Sequence, residues 1–173
     1  MRLVECHLAE HGGAILGILN DAILTSTALY DYTPRMPDSM SGWFEQKQHG
    51  RFPIWGALDE QGTLLGFASY GTFRAWPAYK YSVEHSIYVH VNHRGKGLGK
   101  TLLKEVIDHA RRQDYHVLVG GIDLSNATSI ALHERFGFTH AGTIRQAGFK
   151  FGRWLDLAFY QLILETPSHP VDG

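Results

Sequence analysis

Two spacings of apolar residues run through this chain, one helical and one alternating, and they divide it into regular elements. Leu8–Leu24 carries Ile15, Leu16, Leu19, Ala22 and Ile23 at helical spacing, which predicts a helix with one apolar face. It should stop at Thr25-Ser26-Thr27, where short hydroxyl side chains compete for backbone groups. Asp38–Gln48 predicts a second helix with Trp43 and Phe44 toward the core. Strands are predicted at Arg2–His7, Phe52–Leu58 and Thr63–Tyr70, the last two forming a hairpin through Asp59-Glu60-Gln61-Gly62. Tyr81–Val91 alternates: Val83, His85, Ile87, Val89 and Val91 fall on one side, Glu84, Ser86 and Tyr88 on the other.

Thr101–Arg112 predicts a helix preceded by a glycine-rich turn. Leu98, Leu102, Leu103, Val106, Ile107 and Ala110 make its apolar stripe, while Asp108, Arg111 and Arg112 face water. Val117–Ile122 is a short apolar strand, parallel to Tyr81–Val91 because a helix connects the two. A helix then runs to Phe136 and stops at Gly137, and strands follow at Thr139–Ile144 and Arg153–Leu164. The order β-α-α-β-β-β-α-β-α-β-β, without repeats or linkers, predicts one α/β domain with a mixed sheet over residues 1–165. The tail 166–173 is expected to be disordered.

Composition narrows the class. With 44% apolar and 19% charged residues and a net charge of −1, nothing global favours nucleic acid or an anionic membrane. Cys6 is the only cysteine, so no intramolecular disulfide forms and a reducing, cytoplasmic setting is expected. The eleven histidines are scattered without His-Glu-x-x-His spacing, so no metal is expected. No apolar run approaches the ~20 residues of a membrane helix, and the first residues do not read as a signal peptide.

The strongest chemical signal is His93-Arg94-Gly95-Lys96-Gly97-Leu98-Gly99-Lys100-Thr101, between the alternating strand and the next helix. Glycines at every second position let backbone N–H groups converge on an anion, and the helix N-terminus and Arg94, Lys96 and Lys100 add positive charge. This is a pyrophosphate cradle. Two common designs fail. Gly99-Lys100-Thr101 matches the end of a P-loop, but the first glycine would stand at 94, which is arginine. A dinucleotide fingerprint is missed by one residue, and no acidic residue follows ~20 positions on at the end of a second strand.

The segment does fit the pattern Gln/Arg-x-x-Gly-x-Gly/Ala, read across His93–Gly99 after Ile87-Tyr88-Val89. It resembles the GNAT superfamily of acetyl-CoA-dependent N-acetyltransferases. Asn126-Ala127-Thr128-Ser129-Ile130-Ala131-Leu132-His133-Glu134-Arg135-Phe136-Gly137-Phe138 is similar to a second marker of that superfamily. Tyr30-Asp31-Tyr32-Thr33-Pro34, Val83–Val89 and Phe149–Asp156 resemble its phosphinothricin acetyltransferase branch, whose members acetylate phosphinothricin, methionine sulfoximine or methionine sulfone. The resemblance implies a mixed, mostly antiparallel seven-stranded sheet, splayed between its central parallel strands and flanked by about four helices. It also implies a homodimer, with Trp154–Leu164 as the contact.

The same resemblance implies roles. Glu84 is the candidate general base, against a reading as a solvated carboxylate. Backbone N–H groups of Ile87, Tyr88 and Val89 would stabilise the oxyanion. His133 stands where most relatives carry a tyrosine that protonates the departing thiolate; Tyr88 and Tyr160 are alternatives. Gly95, Lys96, Gly97, Leu98, Gly99 and Lys100 would hold the pyrophosphate, with Arg94 nearby, and Asn126 the pantetheine arm or a helix N-cap. Arg74 would pair with an amino-acid carboxylate, Ala75 and Trp76 continuing its loop. Glu84, His85 and Ser86 would form the opposing wall, and Tyr30 and Tyr32 would close over the acceptor. The rival readings are a catalytically silent CoA-binding or peptide-binding module, an acetyltransferase for another amine, and a P-loop hydrolase.

Overall fold

The computed structural model describes residues 1–172. Seven strands form one sheet in the order β1-β2-β3-β4-β5-β7-β6. They are β1 (Arg2–Glu5), β2 (Ile54–Leu58), β3 (Leu64–Thr72), β4 (Ser82–Val89), β5 (Val117–Asp123), β6 (Thr139–Lys150) and β7 (Arg153–Ile163). The helices are α1 (Leu8–Thr25), α2 (Ser39–His49), α3 (Leu98–Arg112) and α4 (Ala127–Arg135). β4 and β5 are parallel, as a helical connection requires, and share the register Ser82↔Val117 to Glu84↔Val119. β1–β2, β2–β3, β5–β7 and β6–β7 are antiparallel. The chain divides into two compact units, one of residues 1–71 and 86–106, the other of 72–85 and 107–173.

In the first unit α1 buries His11, Gly12, Ile15, Ile18, Leu19, Ala22 and Ile23. It stops where the spacing predicted: Ser26 donates its backbone N–H and its hydroxyl to Ala22 O. Ile15, Ile18 and Leu19 pack with Cys6, Met40, Ile54, Leu58, Leu64 and Phe67, and Trp43 and Phe44 close the cluster from α2. Phe67 is fully buried, so its truncation to alanine should cost about 3–5 kcal/mol. Lys47 follows Trp43 on α2. Its Nζ donates to Tyr70 O at 2.7 Å and lies over the Trp43 and Phe52 rings, and burial pushes its pKa down to about 8.

In the second unit Leu118, Ala158 and Tyr160 lie buried on one face of β5 and β7, and Leu155 and, just past the end of β7, Leu164 are buried as well. The sequence stopped β6 at Ile144, but the strand continues to Lys150. Register shifts between His140 and Gly142 and between Ile144 and Gly148 interrupt its alternation. Gln146 takes φ +54 there and donates its N–H to Asp156 Oδ1 at 2.8 Å. Phe151 and Gly152, both at positive φ, turn β6 into β7. Residues 165–172 form no helix or strand. They are nonetheless tied to the body: Thr166 Oγ1 donates to Tyr115 O, and Val171 N donates to Tyr81 Oη at 3.1 Å.

Candidate active site

β4 carries the site because strand alternation sends neighbouring side chains to opposite faces. Glu84 is half-buried. Burial raises its pKa above the ordinary carboxylate value, and the charge of Arg74 partly counteracts that rise. Arg74 itself is exposed beyond the end of β3, with its guanidinium 5.4 Å from the Phe73 ring centroid. A carboxylate whose proton affinity is raised thus lies within electrostatic range of an exposed guanidinium. Ala75 and Trp76 continue the loop and are exposed. Ser86 is half-buried, two positions along β4 and on the Glu84 side by alternation.

His85 does not join this wall. It points to the other face, 6% exposed, and its Nε2 lies 2.8 Å from Nε2 of His133. His133 Nδ1 lies 2.7 Å from Ser129 O. A carbonyl only accepts, so His133 Nδ1 carries the proton, His133 Nε2 accepts and His85 Nε2 donates. His85 Nδ1 is buried too, on the side of the Val119 backbone. Burial, reinforced by His133, pushes the His85 pKa down to about 3, and burial lowers that of His133 as well. The role of thiolate acid expected for His133 therefore meets a physical objection. Its ring is neutral and its one N–H is already given to Ser129 O. The pair is packed against Phe138, and a Cβ on Gly120 would approach His85 Cε1 to 3.0 Å. The alternatives are occupied in packing: Tyr160 is buried against the His140 ring and Tyr88 packs on Phe67.

Asn126 follows β5 through a turn built by Asp123, whose Oδ1 accepts from Ser125 N and Oγ. It caps α4: Oδ1 accepts from Ser129 N at 3.0 Å, which leaves the amide NH2 directed elsewhere. The structural role expected for Asn126 is thus present.

In the first unit β4 ends in a 3₁₀ turn at Val91–His93, followed by Gly95 and Gly97 at φ +77 and +81. These backbone angles favour glycine, which explains two of the three glycines in this stretch. α3 begins at Leu98 rather than at Thr101, because Leu98 is buried and anchors the first turn. The first helical bond runs from Thr101 N to Gly97 O at 3.2 Å, so the N–H groups of Leu98, Gly99 and Lys100 point out of the helix end. Lys96 and Lys100 are exposed, with Lys96 Nζ 3.4 Å from His93 Nδ1. Arg94 holds the loop to its unit, donating Nε–H to Val89 O at 3.2 Å and pairing with Asp21 of α1 at 3.4 Å. Asp21 had no signal in the sequence beyond its place on the polar side of α1. Ile87, Tyr88 and Val89 are half-buried on the approach to the loop. Tyr30 and Tyr32 belong to an exposed loop of the same unit, anchored where the Asn20 side chain bonds the backbone of Arg35.

Residues 19–138 match the acetyltransferase (GNAT) family. An L-methionine sulfoximine/L-methionine sulfone acetyltransferase of Pseudomonas aeruginosa is 46% identical over 157 residues, 90% of this chain and 91% of that protein. A solved protein of Acinetobacter baylyi ADP1 superposes with a TM-score of 0.99 at 60% identity, covering 99% of this chain and 96% of its own. A phosphinothricin acetyltransferase from Sinorhizobium meliloti, solved in complex with acetyl-CoA, gives a TM-score of 0.92 at 34% identity, with 98% and 91% covered. With the family match spanning well over half of its length, this chain belongs to the GNAT family of acetyltransferases.

Proposed function

We propose that residues 1–165 act as one acetyl-CoA-dependent N-acetyltransferase domain. It acetylates the α-amine of a small amino acid of the methionine sulfone, methionine sulfoximine or phosphinothricin type by direct transfer. The observation that carries this reading is Glu84: a half-buried carboxylate with a raised proton affinity and a guanidinium within electrostatic reach. The α-ammonium of a free amino acid is protonated at neutral pH and must lose a proton before attack, and a carboxylate made more basic by burial is suited to take it. Arg74 holds the carboxylate of the acceptor.

Acetyl-CoA supplies the activated acetyl group. Backbone N–H groups of residues 95–100, with Lys96 and Lys100, hold its pyrophosphate. Arg94 serves chiefly to fix that loop through Asp21 and Val89 O. The Asn126 amide serves the pantetheine arm while its oxygen caps α4, and N–H groups of Ile87–Val89 meet the developing oxyanion. The His85–His133 geometry argues for solvent, rather than His133, as the source of the thiolate's proton. We read the enzyme as cytoplasmic and as a homodimer through the β6–β7 hairpin, where Phe149, Phe151 and Trp154 are exposed. Sedimentation tests the dimer, and a monomer at all concentrations ends that reading.

The test of function is thiol release from acetyl-CoA across free amino acids and their sulfone, sulfoximine and phosphinic analogues. Glu84→Gln should lower kcat roughly 10²–10⁴-fold with acetyl-CoA affinity unchanged. In the wild type the acid limb of kcat/KM should lie above the ordinary carboxylate range, because activity falls as Glu84 takes up a proton. A fully active Glu84→Gln variant rules this base out. Acetyl-CoA binding without turnover on any amine would favour the silent module instead.

A further inference from the structure

β5 contains two adjacent glycines, and the second has an unusual neighbourhood. Gly121 is exposed although it lies in the middle of a strand. A Cβ built there would stand 2.9 Å from Glu84 Oε1, 3.4 Å from Leu157 Cδ1 and 3.8 Å from Phe159 Cε1. The register accounts for the grouping. Gly121 is paired with Phe159, Leu157 lies two positions along β7, and Glu84 is paired with Val119, two positions before Gly121. All four therefore share one face of the sheet, opposite to the face that buries His85. Leu157 and Phe159 are half-buried. The bare backbone of Gly121 is the floor of a trough with a carboxylate on one wall and two apolar side chains on the other. A methyl group fixed to that floor would push against the Glu84 carboxylate and touch Leu157.

We propose that Gly121, Leu157 and Phe159 form the subsite for the acceptor's side chain and that Gly121 is a specificity-determining residue. This rests on the amino-acid acetyltransferase reading above. An amine brought to Glu84 leaves the rest of the acceptor to lie along the same face. The stem that fits over Gly121 is unbranched and aliphatic next to the α-carbon, in contact with Leu157 and Phe159. A branch at the β-carbon meets the Glu84 carboxylate or the Leu157 methyl. The absence of a side chain at 121 also lets the Glu84 carboxylate keep its position, since a Cβ 2.9 Å away is closer than such contacts allow.

The experiment compares kcat/KM for a long unbranched acceptor, methionine sulfone, with that for alanine and for the β-branched valine. It uses wild type, Gly121→Ala and Phe159→Ala, with thermal unfolding recorded for each. Displacement of Glu84 in Gly121→Ala penalises every acceptor, so the diagnostic is the ratio between acceptors. Gly121→Ala should lower the methionine sulfone to alanine ratio by about tenfold or more, the size of a lost methylene-scale fit. Phe159→Ala, which only widens the trough, should narrow the preference for methionine sulfone over valine by a similar factor. If Gly121→Ala fails to fold, Phe159→Ala alone decides. Ratios unchanged in the folded variants overturn the subsite while leaving the acetyltransferase reading intact. Wild-type protein that turns over none of the three amino acids, while acetylating another amine, overturns the amino-acid reading and the subsite with it.

Discussion

Acid should weaken this fold through His85, and the size of the effect follows from the geometry of one buried pair. The unfolded chain binds a proton on His85 near the ordinary value of about 6.5, whereas in the fold burial and His133 hold that value down to about 3. Between these limits the unfolded state carries more protons, so stability rises with pH and is lost as pH falls from about 6.5 toward 3. Integrated from about pH 7.5 to about pH 5, the loss from His85 alone is about 2 kcal/mol. His133, also shifted downward, adds to it in the same direction. Replacing His85 by glutamine keeps an N–H donor for His133 Nε2 and removes the titrating group. Urea unfolding of wild type and His85→Gln at the two pH values measures the difference, since all other titrations occur in both. The variant should lose about 2 kcal/mol less than wild type on acidification. Equal losses in the two proteins would refute the argument that this imidazole is held neutral.

Two further substitutions test the site. Arg74→Ala should raise KM for an α-amino acid by roughly 10–100-fold, the loss of a charge-assisted hydrogen bond, and leave a simple amine lacking a carboxylate unaffected; equal effects on both defeat the assignment. Gly97→Ala forces a side chain into φ +81, which costs about 1–2 kcal/mol, and should weaken acetyl-CoA binding roughly tenfold by calorimetry. Unchanged affinity would mean that the loop conformation does not matter to the cofactor.

Much of this architecture was legible because its signals are local. The α1 and α3 stripes were read correctly, since Ile15, Leu19, Leu102 and Val106 are all buried on their helices. Alternation in β4 puts Glu84 and His85 on opposite faces, and it is this alternation, not the expected acceptor wall of Glu84, His85 and Ser86, that the burial of His85 against His133 follows. What the sequence did not disclose depends on groups far apart in the chain. His85 and His133 are 48 positions apart, so neither reads as half of a pair. The family motif placed His133 where an acid belongs, but a motif position carries no information on burial or on the acceptor its Nδ1 has found. The bulge at Gln146 was hidden because Asp156, ten residues on, takes its N–H. Gly120-Gly121 in an apolar strand was a visible sign of close approach by other groups, though not of which ones.

Those two glycines have a consequence for how the chain tolerates change. At 120 a side chain would strike buried imidazoles, and at 121 it would strike the group proposed to take the substrate's proton. In a saturation library, variants at 120 should vanish under selection for abundance alone. Variants at 121 should persist there and vanish only under selection for turnover. Adjacent codons would then report separately on folding and on chemistry.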